Sequence, residues 1–243
     1  MNQMPIDKVL ILDLETTGLN PNLDDVIEIG VILYSLKYGS IITQFSTLLP
    51  TQKDINNAYQ TNFIPIELAN LNNVEFVQCA IDYFLILIDQ AEFIVAHNAE
   101  FDKKWFGLDN KLLPKIDKHW VCTFADFIWD KNQKPTSLIN TALNYDIAIT
   151  NAHRALSDCL LISSLFNRLF ERNILLSTFT KALTRSDESS LLIYANVGYD
   201  ERNLAKEFGF FWDNFSRRWK KFLKSSDFDA EKYSYPFDIS FDA

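Results

Sequence analysis

The sequence predicts an α/β or α+β fold, a sheet with one meandering half, followed by a small α+β appendage. Three observations carry this. Three strand-like segments precede any stretch of helical period. Short apolar runs of the kind buried on both faces, Val9–Leu12 and Phe93–Ala96, each lead directly into polar residues. Apolar residues then recur near the helical period over 62–90, and again in a long stretch ending at Phe170.

In chain order, the first strand runs from Val9 into Asp13-Leu-Glu-Thr-Thr-Gly18. Side chains alternate on a strand, so Asp13 and Glu15 share a face while Leu14 turns to the core. Two buried carboxylates so close cost several kcal/mol unless a cation lies between them, and hard divalent ions prefer such oxygens. Thr16, Thr17 and Gly18 form a turn of small residues whose N–H groups are free to meet a phosphate or sugar hydroxyl. The competing reading is an acidic strand end running into a surface turn. A second strand spans Val26–Tyr34, where Glu28 either supports the site or faces solvent. The Tyr38-Gly-Ser40 turn makes a hairpin to a third strand, Ser40–Leu49.

Two helices, broken around Asn70–Asn73, fill 62–90. The strand Phe93–Ala96 delivers His97-Asn-Ala-Glu-Phe-Asp102, with a helix from near Ala99 to Gly107 that puts Asp102 in its first turn. Trp120–Phe124 reads as a strand, Ala125–Asp130 as a short helix with a polar loop through Pro135, and Ser137 as the N-cap of a helix to Leu143. Asn151-Ala-His-Arg-Ala-Leu-Ser-Asp158 then leads into a long helix. His153 and Asp158 are about 140° apart on a helix, so His153 is placed on the approach and Asp158 within it. Taken singly, they also read as a surface histidine and an ordinary helix carboxylate.

The 243 residues, 48% of them hydrophobic, suit one domain plus an appendage and exclude wholesale disorder. The longest apolar run, Tyr83–Ile88, is far short of a membrane span, and Met1–Lys8 has no secretory core, so the expectation is a cytoplasmic protein with no membrane partner. Cys79, Cys122 and Cys159 are odd in number and set among apolar residues, which predicts reduced thiols rather than disulfides or zinc. A net charge of −9 argues against broad adhesion to nucleic acid, though a metal-using carboxylate site contributes to that sum.

Asp13-Leu-Glu-Thr-Thr-Gly18, His97-Asn-Ala-Glu-Phe-Asp102 and His153-Arg-Ala-Leu-Ser-Asp158 together resemble the three motifs of the DEDD 3′–5′ exonuclease superfamily in its histidine variant (DEDDh, DnaQ-like). This is the family of the proofreading epsilon subunit of bacterial replicative polymerase and of ribonuclease T. The resemblance covers roughly residues 7–172 and implies a ribonuclease H-like fold, a mixed central sheet flanked by helices. It also implies that Asp13, Glu15, Asp102 and Asp158 hold two Mg²⁺ or Mn²⁺ ions and that His153 is the general base, a role suited to an imidazole near neutral pH. Thr16, Thr17, Gly18, His97, Asn98 and Phe101 would contact the substrate. The chain departs from the glycine-containing turn of many relatives, having Thr61-Asn-Phe-Ile-Pro-Ile66 there.

These readings divide the chain into an exonuclease domain (1–183), a linker (184–190), a small module (191–224) and an acidic tail (225–243) that is flexible or covers a basic patch. In the module, Ala205–Asp213 with Arg217-Arg-Trp219 is similar to a small module found with nucleic-acid enzymes. Trp212 and Trp219 read as its core or as a base-stacking platform. Arg217, Arg218, Lys220, Lys221 and Lys224 form the dense basic cluster, a candidate nucleic-acid contact. The expected function is release of nucleoside 5′-monophosphates from nucleic acid with a free 3′ end, on single-stranded or frayed DNA. The alternatives are RNA 3′-end trimming or a catalytically silent nucleic-acid-binding module. A polymerase or repair-complex partner docking through the C-terminal module, and the oligomeric state, are left open by the sequence.

Overall fold

Apolar residues on both faces of the opening strand set the architecture. The computed structural model describes residues 6–53, 63–109, 111–131, 136–149, 153–213 and 216–241. The chain divides into two units, Met1–Leu183 and Thr184–Ala243. In the first, β1 (Lys8–Thr16) is central. It pairs antiparallel with β2 (Val26–Ser35), which pairs antiparallel with β3 (Ser40–Leu48). On its other edge β1 is parallel to β4 (Phe93–Ala96), and β4 to β5 (His119–Cys122), giving the order β3-β2-β1-β4-β5.

The pleat sorts β1 into two cores. Leu10, Leu12 and Leu14 face Val77, Ile81, Phe84 and Leu87 of α2 (Val74–Gln90), which follows the short α1 (Ile66–Ala69). The Asn73 side chain starts α2 by accepting from Phe76 N–H. Val9 and Ile11 face the opposite core, with Leu138 and Ala142 of α4 (Leu138–Asn144), Ile162, Leu165 and Phe166 of α5 (Ala155–Glu171), and Phe179 of α6 (Leu175–Ser186). The short α3 (Ala99–Lys103) follows β4 directly.

Several expectations change. Residues 123–126 form a turn where a helix is expected from Ala125. The Asp126 carboxylate accepts from Cys122 N–H at 2.6 Å, and Trp129 Nε1 donates to Thr123 O, so side chains take the backbone groups a helix would use. Helix α3 ends at Lys103 rather than Gly107, and α6 has no counterpart in the sequence reading. The expected linker is nearly consumed, since α6 runs to Ser186 and β6 (Ser190–Ala195) begins soon after. Thr61 and Asn62, the loop 132–135, Asn151 and Ala152, and the last two residues of the expected tail lie outside the described residues.

The second unit is a four-stranded antiparallel sheet in the order β7-β8-β6-β9. A 3₁₀ turn (Tyr199–Glu201) and α7 (Arg202–Glu207) follow β6; β7 is Phe211–Asp213 and β8 Arg218–Lys224. The stretch set apart as a tail carries α8 (Ser225–Glu231) and β9 (Ile239–Phe241), which pairs with β6. Phe228, Tyr235, Phe237 and Ile239 pack on the unit's core of Ile193, Phe210, Trp219 and Leu223, which explains why this aromatic stretch is ordered. Among the described residues no helix is long and apolar enough to cross a membrane.

Candidate active site

The site grows from the end of β1 on the α5 side. Asp13, Glu15 and Asp158 each bring one carboxylate oxygen to within 4.8 Å of the others. Asp102, from the first turn of α3, is 2% exposed, and its Oδ1 accepts from Leu14 N–H at 3.1 Å. It stands beside that oxygen cluster rather than in it. Burial, then the charges of Asp102, Asp158, Glu15 and Glu28, pushes the Asp13 carboxyl well above its usual range. Burial does the same to Asp102, opposed by the Leu14 N–H, and raises Asp158, opposed by His153. Oδ1 of Asp158 is buried with no hydrogen-bond partner. An orphaned carboxylate oxygen amid like charges is the environment a divalent cation would relieve, so the donor set fits a hard metal ion.

Motif position depends on β2. Gly30 lies opposite Asp13 in the β1–β2 ladder, and a Cβ there would overlap the backbone of Ala155 and Leu156. The start of α5 can therefore lie directly on the strand, bringing Asp158 to Asp13. Glu28 is opposite Glu15 and 1% exposed. Its carboxylate takes two hydrogen bonds from Arg154, each at 2.8 Å, and one from Ala155 N–H at 3.2 Å. Of the two readings open for Glu28, support of the site is the one observed. Arg154 and Gly30 have no role in the sequence reading; the signals were a glycine inside a strand pattern and an arginine next to a motif histidine.

His153 is exposed at φ +62°, just before α5, and its backbone N–H donates to the Asp158 carboxylate. The left-handed turn lets the chain leave the helix axis, so residue 153 sits on the approach as its spacing from Asp158 suggests.

The six residues expected to contact substrate divide. Thr16 and Thr17 are buried; Thr16 Oγ1 donates to Gly18 O, and Thr17 N–H donates to Asp25 O at 2.8 Å. The Thr17 N–H is therefore not free for a phosphate, because closing the 17–25 loop uses it, and Thr17 Oγ1 accepts from Asp25 N–H as well. The His97 ring bonds Thr123 Oγ1 at 3.0 Å, and burial lowers its pKa to about 4, so it is neutral. Asn98 is exposed at φ +65°, and Phe101 is half-buried with the Lys104 ammonium 4.3 Å from its ring centre.

In the second unit, the basic cluster does not form one patch. Successive residues of β8 face opposite sides of the sheet, and their charges are partnered: Lys220 with Asp213 at 3.2 Å, Lys221 with Glu231 at 2.5 Å. Lys224 is 7% exposed, and the Arg218 guanidinium lies 3.5 Å from the centre of the Tyr194 ring. Trp219 is buried and Trp212 is 45% exposed, so only Trp219 is plainly core.

Residues 10–166 match the sequence model of the Exonuclease family. Among curated proteins, the chain is 29% identical over 163 residues to the DNA polymerase III subunit epsilon of Treponema pallidum, covering 65% of this chain and 74% of that one. It is 28% identical over 164 residues to the PolC-type DNA polymerase III of Thermotoga petrophila, which covers 67% of this chain but only 12% of that relative's length. Among solved structures, the nuclease domain of 3′hExo, a DEDDh family member bound to rAMP, superposes with TM-score 0.57 at 15% identity, over 70% of this chain and 94% of that one. Exonuclease X in complex with 5′-overhanging duplex DNA superposes with TM-score 0.52 at 20% identity, over 72% and 99%. The mixed sheet flanked by helices is thus the ribonuclease H-like fold of these exonucleases.

Proposed function

The chain belongs to the Exonuclease family, and on that premise we propose that it is a metal-dependent 3′–5′ exonuclease releasing nucleoside 5′-monophosphates from single-stranded or frayed DNA. The observation that carries the reading is the convergence of Asp13, Glu15 and Asp158 oxygens within 4.8 Å, one of the Asp158 oxygens lacking any partner. Asp13, Glu15, Asp158 and the adjacent Asp102 would hold two Mg²⁺ or Mn²⁺ ions, which supply positive charge against the phosphoryl oxygens when bound. His153, exposed just before α5, takes a proton from the attacking water. The water oxygen bonds to phosphorus, the bond to the 3′-oxygen of the preceding nucleotide breaks, and that oxygen takes up a proton from solvent. The Glu28–Arg154 pair holds the chain between β2 and α5, keeping His153 and Asp158 in register.

DNA is favoured because the two sequence relatives named above carry DNA polymerase III in their names. The same names support a role in replication or repair. The test is degradation of matched 3′-labelled single-stranded DNA, single-stranded RNA and mismatched duplex with Mn²⁺. Faster loss of label from the DNA strands than from RNA is expected; a reversed order would make the protein an RNA-trimming enzyme, and no cleavage of any would reject nuclease function.

A further inference from the structure

The second unit contains a groove of about 680 Å³ that no role described so far uses. It opens over the ends of β6, β7 and β8, beside the 3₁₀ turn and the start of α7. Trp219, 9% exposed, belongs to its lining, and Trp212 meets that ring edge-on with centres 5.6 Å apart while leaving 45% of its own surface open. Tyr199, 79% exposed, also lines it, with the Arg202 guanidinium 4.0 Å from its ring centre.

Three arginines line the same groove: Arg202, Arg217 and Arg218. Arg218 is held by the Tyr194 ring and donates to Ser240 Oγ at 2.8 Å. Arg202 donates to the Tyr199 carbonyl. Among the described residues, neither Arg202 nor Arg217 has a carboxylate within ion-pair distance, in contrast to Lys220 and Lys221 nearby. Glu201 is turned to the Gly198 N–H at 3.1 Å, which engages the acid next to the groove.

Uncompensated guanidinium beside a half-exposed indole is a combination suited to a base with its attached phosphate. Stacking is sequence-tolerant because every base has a π-face, and guanidinium groups match phosphate oxygens in pairs. We propose that this groove binds single-stranded nucleic acid, with one base on Trp212 and the adjoining phosphates on Arg202 and Arg217. The inference rests on the exonuclease reading for the identity of the polymer. It differs from a general basic patch, because Lys220 and Lys221 of β8 are paired with acids of the same unit and take no part.

The test uses the full chain in EDTA, so that binding is measured without hydrolysis. Anisotropy of a labelled oligothymidylate of roughly 20 nucleotides is followed across a salt series for wild type, Trp212→Ala and the double variant Arg202→Ala/Arg217→Ala. Each variant should raise Kd by about tenfold or more, and the arginine pair should flatten the slope of log Kd against log salt by about 1.4, roughly 0.7 per lost phosphate contact. Because Trp212 touches the unit's core, the arginine variant, altered only at groove side chains, keeps the test independent of folding. Wild-type affinity and slope in the arginine variant would overturn the proposal and leave the groove to a protein ligand. Hydrolysis of a trinucleotide by the wild type with Mn²⁺ is scored separately, so failure of the nuclease reading is distinguishable from failure of the groove.

Discussion

Replacing Asp13 by Asn should stabilise the metal-free protein while abolishing its activity. The oxygens of Asp13, Glu15 and Asp158 lie within 4.8 Å of one another. At that spacing, with an effective dielectric of about 20, each ionised pair costs about 3.5 kcal/mol, so a fully charged Asp13 would face about 7 kcal/mol of repulsion from two neighbours. Taking up a proton caps this cost. An amide carries no charge and avoids that repulsion, offset by a lost hydrogen-bond acceptor, and a net gain of about 2 kcal/mol should raise Tm by roughly 5 °C. The sign with pH follows from the raised carboxyls of Asp13, Asp102 and Asp158. Groups whose folded pKa is raised contribute stability that is fully present below the unfolded value, about 4, and is lost as pH rises through the folded value. The advantage of Asp13→Asn should therefore grow from acid to alkaline pH in EDTA. Saturating Mn²⁺ should reverse the order, since a ligand at a hundred times its Kd adds about 2.7 kcal/mol to the form that binds it. Thermal melts by circular dichroism at several pH values, with EDTA or Mn²⁺, read all three effects. A variant melting at or below wild type in EDTA at alkaline pH would refute the electrostatic reasoning.

His153→Ala should lower kcat by about 10²- to 10⁴-fold and leave Mn²⁺ affinity by calorimetry intact, because the histidine is proposed as a base and not as a ligand. Collapse of metal binding would reassign it. Arg154→Ala strands Glu28, which is 1% exposed, and should cost about 2 kcal/mol, below the 3–5 typical of a broken buried pair because Arg154 is partly open to solvent. Pairing it with Glu28→Gln should recover most of that stability without restoring kcat, and a denaturant series alongside kinetics separates the two. Gly30→Ala drives a methyl into the backbone at the start of α5 and should cost about 3 kcal/mol with a matching loss of Mn²⁺ affinity; unchanged calorimetry would show that α5 tolerates displacement.

What could be read from the sequence was set by periodicity. Asp13 and Glu15 were legible because a two-residue repeat alone puts them on one face, and Asp102 because a helix begun at Ala99 holds it in the first turn. Glu28 was half-legible: alternation gave its face, but its partner Arg154 is distant in the chain and only the folded β2–α5 contact joins them. The same alternation explains why the run from Arg217 to Lys224 misled. Density along a strand is not density on a surface, and the acids that neutralise Lys220 and Lys221 come from Asp213 and Glu231. Thr17 misled for a different reason, since a turn of small residues does not reveal that its N–H closes a loop on Asp25. In residues 225–243 the acidic character masked aromatics that complete a small core, a non-local packing that local composition does not report.

The proposed function makes the converging carboxylates the centre of a metal-dependent 3′-end nuclease. It is tested most directly by the products formed from a 3′-labelled single strand by wild type and Asp158→Asn, each with Mn²⁺ and with EDTA. The prediction is that wild type with Mn²⁺ releases the label first and as a 5′-mononucleotide, and that EDTA or the substitution slows release by at least about 10³-fold. Label released in longer fragments, or at an undiminished rate in EDTA, would contradict it.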